Sequence, residues 1–83
     1  MIKVVEVKPN NDFTLDLKFD NGSEKRFDVK PYLEHEVFQV LKNLEYFNRV
    51  RIAFGSVQWP DEQDISPDTL YLEGEEIKEA VAA

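Results

Sequence analysis

Phe13, Leu15, Leu17 and Phe19 alternate with Thr14, Asp16, Lys18 and Asp20, the period-two pattern of a strand with one buried face. Asp20-Asn21-Gly22 follows, and a second run leads to Phe27 and Val29. A two-residue Asn-Gly turn would set Asp16 against Phe27 and Lys18 against Lys25, and would split the apolar side chains between two faces. A three-residue loop with Gly22 as a left-handed bulge residue removes both conflicts. It pairs Phe19 with Ser23, Leu15 with Phe27 and Phe13 with Val29. On the other face it sets Asp16 against Arg26 and Lys18 against Glu24, opposite-charge pairs worth roughly 0.2–1 kcal/mol each. Hydrophobic period and charge select one register.

The rest of the chain is read outward from this hairpin. Ile2 to Lys8 is a β-branched, extended segment. The adjacent Val4 and Val5 break its alternation, which predicts a strand covered on both faces. Pro9-Asn10-Asn11 supplies a turn. After Pro31, Leu33, Val37, Val40, Leu41 and Leu44 recur with the stripe of an amphipathic helix, predicted over 34–44 and broadened by Phe38. Tyr46 and Phe47 plug the core beyond it.

Asn48 to Phe54 reads as a strand with Val50, Ile52 and Phe54 inward. Gly55-Ser56 fits a type II′ turn, which pairs Phe54 with Val57 and Ile52 with Trp59. Pro60 keeps the strand ending at Trp59 short and at an edge. Ser66 has the chemistry of an N-cap, with Pro67 at the first helical position and Asp68 in the first turn. That turn of helix ends near Gly74 and seats Leu70 or Tyr71 on the core. The predicted fold is α+β, with about five mostly antiparallel strands in the order β-β-β-α-β-β-α. One main helix packs on one face of the sheet. Residues 1–74 form one domain, and 75–83 a tail that is a frayed helix or disordered.

An 83-residue chain builds a thin core, burying roughly 60–65% of the surface its unfolded form exposes. There is no cysteine, so no disulfide or thiolate-bound metal reinforces it. The net charge of −7 repels a phosphate backbone, and the cations form no basic run, so direct nucleic-acid binding is not expected. No apolar leader or membrane-spanning stretch is visible, and a soluble, cytoplasmic protein is the expectation.

Taken together, several segments resemble a bacterial family, domain of unknown function 2442. They are Phe19-Asp20-Asn21-Gly22, Phe27-Asp28-Val29, Pro31-Tyr32-Leu33, Val37-Phe38 with Leu41, and Tyr46-Phe47. Gly55-Ser56-Val57-Gln58-Trp59-Pro60 carries most weight, with Asp64 and Pro67-Asp68-Thr69-Leu70-Tyr71 after it. The resemblance runs from Ile2 to Leu72. It implies a compact α+β domain without an established enzymatic activity. Some members look like halves of toxin–antitoxin-type gene pairs, and some carry a C-terminal helix-turn-helix, before which this chain stops. The family pattern places a small polar residue and then Gly after Trp-Pro. Here Asp61 is followed by Glu62, which is strained if that position requires a positive φ.

No catalytic constellation is visible, and no enzyme is expected. His35 is the sole histidine; Glu34 and Glu36 do not project with it from a helix. Ser23, Ser56 and Ser66 are explained as turn or cap residues. Asp61, Glu62, Asp64 and Asp68 fail the calcium-loop pattern, because Gln63 and Ile65 fall on ligand spacings and the required Gly is missing. Neither a metal nor another cofactor is expected. Trp59, Pro60, Asp64, Asp68 and Tyr71 form the candidate partner surface; the indole itself is read in preference as packing beside Ile52 to close the core, with the others as its rim, and core and surface stay open as alternatives for this region. The expected function is a non-enzymatic protein-interaction module, an antitoxin-like partner of a small protein encoded beside it, with self-association also open. The alternative is a small ligand-binding domain or enzyme using the Trp59–Tyr71 region.

Overall fold

The computed structural model describes residues 1–77. Four strands form the first sheet: β1 (Val4–Pro9), β2 (Thr14–Phe19), β3 (Glu24–Asp28) and β7 (Glu75–Glu76), in spatial order β1-β2-β3-β7. A second sheet has the order β4-β5-β6, from Arg51–Ala53, Ser56–Gln58 and Asp64–Ile65. Between the sheets in sequence run two 3₁₀ segments, Lys30–Tyr32 and Glu36–Lys42, and a single-turn helix α1 (Leu44–Phe47). Helix α2 (Pro67–Glu73) follows β6. All pairings are antiparallel, and both sheets feed one hydrophobic core. The fold is α+β.

The first hairpin has the register set by its apolar period. Leu15 pairs with Phe27, Asp16 with Arg26 and Lys18 with Glu24. Phe19 N–H donates to the Ser23 carbonyl at 2.9 Å and Gly22 adopts φ +87°, the left-handed bulge that a three-residue loop requires. Leu15, Leu17, Phe19, Phe27 and Val29 are all buried. On the opposite face Arg26 grips Asp16 with two hydrogen bonds, at 2.7 and 3.2 Å. The guanidinium holds the Asp16 carboxyl below its usual range, against the opposing effect of partial burial.

Strand β1 corrects the expectation of a strand covered on both faces. Val4 pairs with Phe19 and Glu6 with Lys18, so Val5 is an extra residue in a β-bulge. Val4 is buried and Val5 exposed. The apolar doublet therefore marks a change of register.

The turn of the second hairpin lies one residue earlier than expected, which moves every cross-strand partner by two. Ile52 pairs with Val57 and Ala53 with Ser56, so the turn residues are Phe54 and Gly55, both at positive φ (53° and 75°). This is the dihedral pattern of a type I′ turn. Three contacts select it. The Ser56 hydroxyl is buried and donates to the Ile65 carbonyl, the Gly55 carbonyl accepts from Val4 N–H at 2.8 Å, and the Lys3 side chain fills the space a Gly55 Cβ would need. Trp59 consequently lies beyond β5 and does not face Ile52; its ring packs against Phe47 instead.

The continuous helix expected over 34–44 is replaced by the 3₁₀ segment and α1, separated by the extended Asn43. Asn43 Oδ1 accepts from Glu45 N–H at 3.0 Å and starts α1. A 3₁₀ turn repeats every three residues, so Phe38, Leu41 and Leu44 share the inward side, while Val37 and Val40 face out. Helix α2 matches its sequence signals. Ser66 Oγ accepts from Thr69 N–H at 3.2 Å, Pro67 is first, Gly74 ends it, and Leu70 is buried. It runs for two turns where one was expected. The predicted tail begins otherwise than expected: Glu75–Glu76 extend the first sheet beside Lys25 and Arg26. The remainder, 78–83, lies outside the described residues.

Candidate interaction surface

Among the described residues, three other than glycine have positive φ: Phe13, Phe54 and Glu62. A bulky side chain in this region costs about 1–2 kcal/mol, so each invites an account of what offsets it. Phe13 stacks edge-on against Phe47, with centroids 5.3 Å apart. Glu62 turns the chain after Trp59: its N–H donates to the Trp59 carbonyl, and Trp59 N–H donates to the Gln63 carbonyl, each at 2.9 Å. This is the position at which the sequence raised a strained Glu. Phe54 has no such return. It is 98% exposed, on a turn type that favours Asn-Gly at its two central positions.

Stability alone selects another residue there. Phe54→Asn should raise the unfolding free energy by about 1 kcal/mol, because Asn tolerates the left-handed region. A urea melt at low protein concentration measures it. A destabilised variant would mean that the ring packs against its own fold.

Around Phe54 the surface is apolar and cationic. Ile52, two residues earlier, is 40% exposed. Residues 46–60 contain Arg49 and Arg51 and no Asp or Glu, and Lys3 lies against Gly55. Among the described residues none of these three cations has a carboxylate within 4.0 Å; the ion pairs are Arg26–Asp16, Lys30–Asp28 and Lys42–Glu34. Ile52 also borders an open depression of about 710 Å³ on the first sheet, which Ile77 lines as well. Cross-strand partners along that sheet alternate in charge: Glu6 opposes Lys18, which opposes Glu24, and Lys8 opposes Asp16, which opposes Arg26 and then Glu75.

The residues singled out from the sequence do not assemble into one surface. Trp59 is fully buried, and its indole N–H donates to the Phe47 carbonyl at 2.9 Å; it belongs to the core and offers no contact area. Pro60 is half-buried, while Asp64 and Asp68 are exposed. Tyr71 is half-buried and held in place. Its ring meets Phe19 edge-on at 5.1 Å, Lys25 Nζ lies 4.0 Å over its centroid, and Asn21 Nδ2 donates to its hydroxyl at 3.2 Å. Hydrogen bonds from the Ser23 and Asn21 side chains lower the Tyr71 phenol pKa, with a smaller contribution from Lys25. Tyr32 donates to a Glu73 carboxylate oxygen at 2.5 Å, and that anion raises its pKa. His35 forms a triangle of rings with Tyr32 and Phe38, 6.0 and 6.5 Å from them. Among the described residues no three His, Asp or Glu side chains converge as metal ligands would, and no helix is long and apolar enough to cross a membrane.

The buried Trp59, the Gly55 turn and Pro67 at the start of α2 lie in the segments that carry the family resemblance. A family model described as protein of unknown function (DUF2442) matches residues 4–76. The chain belongs to the DUF2442 family. The match runs from the first core residue of β1 to the last residue of β7, so the DUF2442 unit comprises both sheets and α2. No curated protein and no solved structure matches the chain. Sequence reasoning missed Phe54 as a surface residue because the II′ register buried it. The available signal was Phe-Gly between two strands, where Gly can serve as the second turn residue as well as the first.

Proposed function

We propose that this domain is a non-enzymatic protein-interaction module and that the β4–β5 turn is its principal contact. The observation that carries the proposal is Phe54, a fully exposed aromatic held in a strained conformation that its own fold does not use. Backbone strain retained without internal benefit concentrates at functional sites, and exposed aromatics and arginines supply most interface binding energy. Arg51 stands on the same hairpin, and Arg49 lies two residues before β4. The family resemblance adds the kind of partner, a small protein encoded beside this one, toward which the domain acts in the manner of an antitoxin. A ligand site between Trp59 and Tyr71 has less support, since the indole is enclosed and Tyr71 is engaged by Phe19, Lys25 and Asn21.

Co-expression with the product of the adjacent gene tests the proposal. Affinity purification should retain that product with wild type and with Phe54→Tyr. Phe54→Asp should lose at least tenfold of it while keeping a native circular-dichroism spectrum. Equal retention by Phe54→Asp would remove the turn from the interface, and no retention by wild type would count against the partner.

A further inference from the structure

We infer that Asn21 is a deamidation site, and that the folded β2–β3 loop holds the reaction back through the bonds that Tyr71 and Phe19 make to the Asn21-Gly22 pair. In this reaction the Gly22 backbone nitrogen loses its proton to solvent and attacks Asn21 Cγ. The carboxamide nitrogen leaves as ammonia, and a five-membered succinimide closes. Water then adds to either of the two ring carbonyls. It opens the ring to aspartate at position 21, or to isoaspartate, whose main chain runs through the former side chain.

The chain has five Asn residues, followed by Asn11, Asp12, Gly22, Leu44 and Arg49. Only Gly22 lacks a Cβ, so only there is the attacking nitrogen unshielded and the backbone free to turn toward the side chain. Asn21 and Gly22 are both exposed, and among the described residues nothing lies within 4 Å of where a Gly22 Cβ would stand. Water and hydroxide therefore have access. Ser23 N–H donates to Asn21 Oδ1 at 2.9 Å, the oxygen on which negative charge develops during the attack.

Two contacts oppose the reaction. Gly22 N–H donates to the Phe19 carbonyl at 2.9 Å, which commits the nucleophile to the bulged turn. Asn21 Nδ2 donates to the Tyr71 hydroxyl at 3.2 Å, so the carboxamide is fixed at both ends. Tyr71 is itself seated, edge-on to Phe19 and under Lys25. Attack on Cγ thus waits for the loop to part from α2, a local opening. Aspartate at position 21 suits the closed loop, since its carboxylate still accepts from Ser23 N–H and now also accepts from the Tyr71 hydroxyl. Isoaspartate does not suit it, because the extra main-chain carbon disrupts the bond from Phe19 N–H to the Ser23 carbonyl.

Incubation of the full chain at about 37 °C and about pH 8.5, followed by peptide mass spectrometry for a gain of about 1 Da, reads the outcome. Asn21 should be the first Asn converted, at least about tenfold more slowly than in guanidinium chloride above the unfolding midpoint. Tyr71→Phe keeps the ring and loses only the hydroxyl; it should speed the native reaction about threefold with little change in urea midpoint. The Tyr71 phenol faces Ser23, Asn21 and Lys25, which lower its pKa, and Glu76, which raises it. Asn21→Asp should move that pKa upward in an NMR titration, because a carboxylate accepting from a phenol stabilises its protonated form, as Glu73 does for Tyr32. Conversion of another Asn first, or equal rates in the folded and unfolded chain, overturns the inference. A Tyr71→Phe rate at or below that of wild type, or an unchanged Tyr71 pKa in Asn21→Asp, overturns the restraint by Tyr71.

Discussion

Trp59→Ala should destabilise the domain by about 3–5 kcal/mol, enough to leave much of so small a protein unfolded at 37 °C, given that domains of this kind rarely exceed 5–15 kcal/mol in total. The indole is fully enclosed and joins three parts of the structure. Its ring lies 5.9 Å from that of Phe47 at the end of α1, its N–H donates to the Phe47 carbonyl at 2.9 Å, and its own backbone closes the turn to Gln63. Truncation removes the packing and leaves a cavity where β5, α1 and the turn meet. Trp59→Phe separates the contributions. It keeps most of the volume but forfeits the N–H, so about 1–3 kcal/mol of the loss should remain. Urea denaturation of both variants measures this. An unchanged midpoint for Trp59→Ala would be incompatible with a buried indole.

The first hairpin was legible because two independent patterns agreed on it. The apolar period chose a face, the charges of Asp16, Lys18, Glu24 and Arg26 chose the pairing, and Gly22 supplied the only conformation that reconciles them. Local chemistry also sufficed at Ser66-Pro67, where cap and first helical residue are specified within four positions. The second hairpin lacked such agreement. Moving the turn by one residue, and the pairing by two, still leaves a glycine at a turn position needing positive φ, and the deciding contacts are nonlocal: Lys3 against Gly55, Val4 with the Gly55 carbonyl, and the Ser56 hydroxyl with Ile65. No window around residues 50–60 contains them. Phe54 was placed inward for that reason alone, and the exposed half of the candidate surface went unseen with it. Trp59 heads the candidate surface in the sequence, with burial as the preferred reading of its indole; the structure buries it, against Phe47 and not beside Ile52.

The segment after Pro31 shows how a change of helical period redistributes a stripe, and it yields the sharpest stability contrast. With 3.6 residues per turn, Val37, Val40 and Leu41 all fall on the apolar side. With three per turn, Leu41 aligns with Phe38 and Leu44. Leu41 is fully buried, whereas Val37 is 65% and Val40 41% exposed. A 3₁₀ helix rises about 2.0 Å per residue against 1.5 Å for an α-helix. Seven residues between the extended His35 and Asn43 thus reach about 14 Å instead of about 10.5 Å along the core. Asn43, by capping α1 with its side chain, stops an α-helix from running through. Leu41→Ala should therefore cost about 2–5 kcal/mol, while Val37→Ala and Val40→Ala should each stay within about 1 kcal/mol, since little of either side chain leaves water. Three urea titrations at matched protein concentration decide between the periods. Comparable losses at Leu41 and Val40 would restore the α-helical stripe and bring Val40 into the core. A loss confined to Leu41 fixes the three-residue period and leaves Val37 and Val40 on the outer surface.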